Sequence, residues 1–275
     1  MLQNKNAVVY GAGGSLGGAV AKALAQAGAN LFLAGRTLVP LEKIATDIRS
    51  AGGKANVAIV DALDENAITK HLNEVVQQAG TVDISFNATA TEVVQNIPLI
   101  EMPVNDFINP ITNMMRTRFL TAVAAAKIMM QQGSGVILSL TATPGGIGYP
   151  YTGGFAPACT AIETFAQNLG SELGVYGVRV VNMRSGGSPD SQVFKDAIAQ
   201  NPEAMGAILN KMKADTMLKK MPLMADIANV AVFLSSDMAA GITGVTIDVT
   251  CGTTAALNYR VNTLTNTRNG QTLAS

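Results

Sequence analysis

The residues of this 275-residue chain best suited to chemistry are those that can hold a phosphate. Gly11-Ala12-Gly13-Gly14-Ser15-Leu16-Gly17-Gly18 follows the apolar run Ala7-Val8-Val9-Tyr10 and precedes a stretch of helical period, Ala19 to Ala27, closed by Gly28. The order is strand, glycine turn, helix. A pyrophosphate needs backbone that approaches without Cβ atoms in the way, and free N–H groups at a helix N-terminus to receive its charge. Gly11, Gly13, Gly14 and Gly17 supply the clearance, and the amides of Ser15, Leu16 and Gly17 supply the donors. Taken alone, the turn also fits a tight β-to-α connection that binds nothing.

A cation stands where the next contact belongs. The second apolar run, Asn30-Leu31-Phe32-Leu33-Ala34, ends in Gly35-Arg36-Thr37, and in a Rossmann-type unit that strand end meets the adenosine ribose. An acid there accepts hydrogen bonds from a 2′-hydroxyl and repels a 2′-phosphate, whereas Arg36 offers a cationic fork and Gly35 offers room. The expected cofactor is NADP(H) rather than NAD(H). The competing reading is an arginine that only faces solvent at a strand end.

The elements that must position these groups recur with one rhythm. Apolar strand candidates follow at 56–60, 83–87, 136–140, 178–182 and 245–249, with helical patterns between them. With the first two runs they predict an α/β fold, a doubly wound Rossmann-type parallel sheet of seven strands with helices on both faces. No linker, repeat or composition break divides the chain, so residues 1–252 are expected as a single nucleotide-binding domain. A polar, helical insertion at about 187–220 lies beyond the carboxyl ends of the strands, where a substrate lid belongs; a surface helix pair without ligand contact is the alternative. Residues 253–275 read as a polar tail.

Taken in order, Gly11 to Gly17, Arg36, Asp61-Ala62-Leu63-Asp64, Asp83-Ile84-Ser85-Phe86-Asn87-Ala88, Gly133-Ser134-Gly135-Val136-Ile137-Leu138, Gly177-Val178-Arg179-Val180, Ser185-Gly186 and Ile242-Thr243-Gly244 resemble the short-chain dehydrogenase/reductase family from about residue 5 to 252. The resemblance implies that Asp61 and Ala62 lie against the adenine, that Asn87 and Ala88 line the cofactor edge of the fourth strand, and that Ser185 and Gly186 lie beside the nicotinamide. Ser15 stands where the family has the middle glycine of its turn, and Ala88 where it has a second Asn. The larger departure is catalytic. The family's Ser, Tyr and Lys, which orient the carbonyl, donate the proton and bind ribose, fall on Ala142, Phe155 and Cys159, none of which can take its role. The helix-borne Asn falls on Met114, beside Asn113.

Hydride transfer needs a nicotinamide and an electrophilic carbon, but a reduced ketone leaves an alkoxide that must be protonated. A conjugated C=C instead yields an enolate, which a hydroxyl placed elsewhere can stabilise. Tyr151, then Tyr149, are the phenols of the loop before Phe155, with Thr141, Thr143 and Thr152 as further hydroxyls and Arg116 or Arg118 as possible activating cations. Both tyrosines also fit simple loop packing. Cys159 as a thiolate nucleophile lacks any base to help it and fits a small buried residue better. His71, the one histidine, sits among Asp64, Glu65, Lys70 and Glu74 and reads as a solvated surface residue. No metal site can be assembled, and two distant cysteines fit a reducing cytoplasm.

Nineteen basic and nineteen acidic side chains balance, without a basic run, so nucleic acid is not an expected partner. No apolar stretch reaches membrane-spanning length, and the N-terminus lacks the apolar core of a signal peptide. The stretches 114–132 and 155–173 are apolar on more than one face, which predicts a homodimer or homotetramer unless those residues fill a thick monomer core. The expected function is therefore an NADP(H)-dependent oxidoreductase with a non-standard active site, reducing an activated C=C or C=O in a small or medium apolar substrate. The alternative is a catalytically inactive NADP(H)-binding sensor or structural protein on the same fold.

Overall fold

In the computed structural model, which describes residues 1–256, seven parallel strands form one sheet in the order β3-β2-β1-β4-β5-β6-β7. The strands are β1 (Asn6–Tyr10), β2 (Asn30–Gly35), β3 (Lys54–Ile59), β4 (Ile84–Asn87), β5 (Gly135–Ala142), β6 (Val178–Ser185) and β7 (Val245–Val249). Between them run α1 (Ser15–Gln26), α2 (Leu38–Ser50), α3 (Glu65–Ala79), α4 (Val104–Gln132), α5 (Phe155–Leu173), α6 (Gln192–Gln200), α7 (Pro202–Ala214) and α8 (Met224–Ser235), and a short α9 (Thr253–Ala256) follows β7. The expected doubly wound parallel sheet is what the chain forms. Of the tail at 253–275, residues 257–275 lie outside the described residues.

The strands form because they are apolar on both sides. Alternate side chains of β1 enter opposite cores: Ala7 and Val9 pack with α1, α2 and α8, while Val8 and Tyr10 pack with α3, α4 and α5. The strand order reverses between β1 and β4: β1 pairs in parallel with β2 and with β4, Tyr10 opposite Ala34 on one side and Asn87 on the other. That reversal opens a crevice at the carboxyl ends, the place where ligands sit in open α/β sheets.

Helix α4 begins at Val104, ten residues before the stretch anticipated at 114–132, and carries Pro110 within it. It ends at Gly133, whose φ of 69° is the left-handed cap that glycine adopts without strain. The insertion forms α6 and α7, neither of which holds a buried residue. Phe194 and Met212 from this segment, with Met221 just after it, converge on Gly187 just past β6.

His71 corrects the sequence reading. It is 6% exposed rather than solvated, because α3 turns Ile68, His71, Leu72 and Val75 toward the sheet, the i, i+3, i+4, i+7 stripe of a core-facing helix. Its ring meets Tyr10 edge-on with centroids 6.4 Å apart, and its Nδ1 has no hydrogen-bond partner. Burial lowers its pKa, against a smaller upward pull from Glu74. Among the described residues no helix is long and apolar enough to cross a membrane.

Candidate functional site

The glycine turn is built by close backbone approach. Gly11 has φ 75°, and a Cβ there would lie 2.8 Å from the carbonyl oxygen of Ala88, so β1 and the loop after β4 touch where only glycine fits. A Cβ on Gly17 would overlap the Gly11 carbonyl, so α1 could not start so near the strand. Gly14 caps α1 without a side-chain hydrogen bond, which leaves the amides of Ser15, Leu16 and Gly17 as the unpaired first-turn donors. Ser15 is engaged elsewhere through its hydroxyl: its Oγ accepts from the Gln192 amide at 3.0 Å, joining the glycine turn to the start of α6.

A cavity of about 520 Å³ opens from this turn. Gly11, Gly14, Arg36, Asp61, Ala62 and Ala88 line it, as do Thr89, Asn113, Met114, Thr117 and Arg118. Arg36 is exposed at the end of β2 and joins no ion pair among the described residues. Asp61 turns back on its own loop, accepting from the Leu63 amide at 3.0 Å, while Asp64 caps α3 by accepting from Asn66 and Ala67. Gly13, Ser15, Leu16, Gly17, Asn87, Ser185 and Gly186 are not part of the cavity wall. Asn87 is buried and serves from behind: its Nδ2 donates to the Thr121 hydroxyl at 2.8 Å, and its Oδ1 accepts from the Thr89 amide and hydroxyl. Ser185 Oγ donates to the Thr141 carbonyl at 3.2 Å, and Gly186 donates its amide to Val249.

The β5–α5 corner is of another kind. Ala142, Phe155 and Cys159 do come together, in one small apolar cluster with Met114, Ala158 and Ile162. Cys159 is fully buried, and that burial pushes its thiol up to about 11, so it is neutral at physiological pH. Behind the cluster lies a charged chain that the sequence reading did not assemble. Glu163, one helical turn after Cys159, accepts from Thr141 Oγ1 at 2.8 Å and from two nitrogens of Arg184. Arg184 also donates to both oxygens of Asp248 at 2.9 Å. Burial alone would lower the Arg184 pKa, but its hydrogen bonds to Glu163 and Asp248 outweigh it and the net direction is upward. Arg184 is thus held in an ion-paired support for the loop, since a Cβ on Gly146 would strike its guanidinium.

The hydroxyls proposed as proton donors sit apart from the cavity. Tyr151 is 55% exposed with φ 59°, and its carbonyl accepts from the Asn96 amide; neither it nor Tyr149 lines the cavity wall. Thr143 donates to the Ser185 carbonyl and Thr152 to that of Tyr149. Of the two arginines, Arg116 is exposed and Arg118 is 4% exposed. Ser188, just past β6, holds a buried hydroxyl without a partner among the described residues. No group of three or more potential metal ligands occurs among the described residues.

The family model described as enoyl-(acyl carrier protein) reductase matches residues 11–254. A 3α-hydroxysteroid dehydrogenase of Mediterraneibacter gnavus is 29% identical over 256 residues, which cover 90% of this chain and 96% of that protein. An uncharacterized oxidoreductase of Mycobacterium tuberculosis is 28% identical over 254 residues, covering 92% of this chain and 93% of its own. Among solved structures, levodione reductase superposes with a TM-score of 0.86 at 24% identity, over 93% of this chain and 100% of its own, a likeness of fold.

Proposed function

The chain belongs to the short-chain dehydrogenase/reductase family, and we propose that it is an NADP(H)-dependent oxidoreductase whose active site departs from the family's Ser, Tyr and Lys. The observation that carries this reading is the cavity itself, which runs from the glycine turn and Arg36 to Arg118 across the carboxyl ends of four strands. The residues fit a dinucleotide. Gly11 and Gly14 line the cavity, Gly11 and Gly17 permit the tight turn that leaves the first-turn amides of α1 free for a pyrophosphate, and we assign Asp61 and Ala62, also in the cavity wall, to the adenine. Arg36, unpaired, is suited to a 2′-phosphate. The chemistry such a cofactor supplies when bound is hydride transfer.

The substrate we assign is small or medium and apolar, with an activated C=C or C=O. Phe194, Met212 and Met221 gather apolar side chains over Gly187 just past β6, which we assign to the substrate side in keeping with the steroid-acting relative. For the proton, Tyr151 and then Tyr149 remain our assignment; from their positions off the cavity, donation requires the loop to bring one phenol inward when ligand binds. The face of α4 and α5 around Met115, Pro157 and Phe165, with Phe119 half exposed beside it, is our assignment for a homodimer or homotetramer contact. Both cysteines are free thiols, which suits a reducing cytoplasm.

A second reading, a cofactor-binding sensor without turnover, is favoured by one observation: the corner at Ala142, Phe155 and Cys159 is apolar. Fluorescence titration with NADPH and NADH, followed by a panel of ketones and activated alkenes in the same cuvette, separates the readings. Selective NADPH binding with alkene- or ketone-dependent oxidation supports the enzyme. Tight binding with no oxidation across the panel supports the sensor, and failure to bind either nucleotide removes the assignments of Arg36 and the glycine turn together.

A further inference from the structure

Arg118 is a buried cation with no carboxylate partner among the described residues. Its Nη1 donates to Thr89 Oγ1 at 2.9 Å and Thr117 Oγ1 at 3.1 Å, its Nη2 reaches the Leu140 carbonyl at 3.4 Å, and its Nε has no partner at all. The two threonines are committed as acceptors, because Thr89 donates its own proton to Asn87 Oδ1 and Thr117 donates to the Met114 carbonyl. An arginine offers five N–H donors, so this one is held in place yet left with donors to spare. A buried guanidinium without a counter-charge or a full set of acceptors is costly, and such a group persists where a ligand completes it.

Its position says which part of a ligand that is. Arg36 and Arg118 are the two basic residues lining the cavity. Arg36 directly follows β2, and Arg118 rests against Thr89 after β4 and the Leu140 carbonyl of β5. From β2 to β5 is three strand steps, about 14 Å at the usual spacing. A dinucleotide with its 2′-phosphate on Arg36 therefore lays its second ribose toward Arg118. Cys159, on α5, is a neutral thiol that offers that ribose no charge.

We propose that Arg118 donates to the hydroxyl oxygens of the cofactor's second ribose, so that the cation anchoring this end of the ligand projects from α4 rather than from α5. The inference rests on the dinucleotide reading above. Burial brings the guanidinium down to about 10, so it is charged at neutral pH.

Calorimetric titration of the full chain with three ligands tests it: NADPH, 2′-phospho-ADP-ribose, which lacks only the nicotinamide, and adenosine 2′,5′-bisphosphate, which stops before the second ribose. Arg118→Met is expected to weaken the first two by about ten- to a hundredfold, the range of charge-assisted hydrogen bonds, and to leave the bisphosphate within about twofold. Arg118→Lys, which keeps the charge, is expected to fall between, and it serves as the reading variant if the methionine protein does not fold. Equal weakening of all three ligands, or of none, overturns the proposal. Wild-type protein that binds none of the three is a different result, one that removes the dinucleotide reading itself; wild-type protein that binds only the series lacking the 2′-phosphate removes Arg36 alone and leaves the same comparison to be run on NADH, ADP-ribose and ADP.

Discussion

The carboxyl ends of β1 and β2 and the corner where α4 and α5 meet β5 belong to one sheet and are made of different material. The first region works with backbone: glycines that admit a close approach, helix amides left unpaired, and a solvent-facing arginine. The second works with side chains, the buried Arg118 near an apolar cluster and the half-buried Glu163–Arg184 pair extended to the exposed Asp248. Backbone sites tolerate almost no change in shape, whereas side-chain sites tolerate relocation, because a charge can enter one position from either of two helices. On the reading proposed above, that difference is how one half of a family site would persist while the other is rewritten.

The sharpest way to break this comparison is to return the cation to α5. Cys159→Lys places a second charge in a fully buried site near Arg118, and we expect a loss of roughly 3 kcal/mol or more in urea unfolding. In an Arg118→Met background about 1–3 kcal/mol of that loss should vanish, the coupling between the two positions. Equal cost in both backgrounds would mean that the two positions do not compete for one charge. The backbone region is probed by Gly17→Ala, whose Cβ meets the Gly11 carbonyl; about 2–3 kcal/mol of stability should go, along with cofactor affinity. Retained affinity in that variant would show that the turn does not hold the ligand. Glu163→Gln comes next, at about 2 kcal/mol, since Arg184 keeps Asp248 as a partner. A change under about 0.5 kcal/mol in the same urea series would reduce the charged chain to surface decoration.

The same contrast governs what the sequence discloses. Gly11, Gly17 and Arg36 act through local chain geometry, so their spacing after one strand or at the end of the next carries the reading, and the seven strands are visible as apolar runs for the same reason. Glu163 and Arg184 are 21 residues apart and meet only because β6 lies beside β5 under α5. Arg118 shows as an arginine in a mixed helix; its burial follows from α4 crossing β4 and β5, which no local pattern states. His71 was legible in principle. Its stripe with Ile68, Leu72 and Val75 was outvoted by the charges at Asp64, Glu65, Lys70 and Glu74, which occupy the opposite face or the cap of α3.

The two regions also differ in which end of the pH scale disturbs them. His71 lies beneath β1, and its burial lowers its pKa below the ordinary 6.5, so below that value the unfolded chain takes up a proton that the folded chain refuses. Unfolding then binds more protons than folding does, and stability is full above about pH 6.5 and declines as pH falls through and below it. Cys159 behaves in reverse: its thiol is held up to about 11 against an ordinary 9.0, so the folded chain keeps a proton the unfolded chain releases, and stability declines as pH rises between those values. Because other carboxylates and lysines titrate at both ends, the measurement is a difference. Urea midpoints from pH 5 to 7.5 should fall less toward acid in His71→Gln than in wild type, and midpoints from pH 8.5 to 11 should fall less in Cys159→Ala. Since the chain has a single histidine, its ring signals in a proton NMR titration give the same answer independently. A midpoint near or above the ordinary value would mean that His71 finds solvent, and the stripe that buries it against Tyr10 would then be wrong.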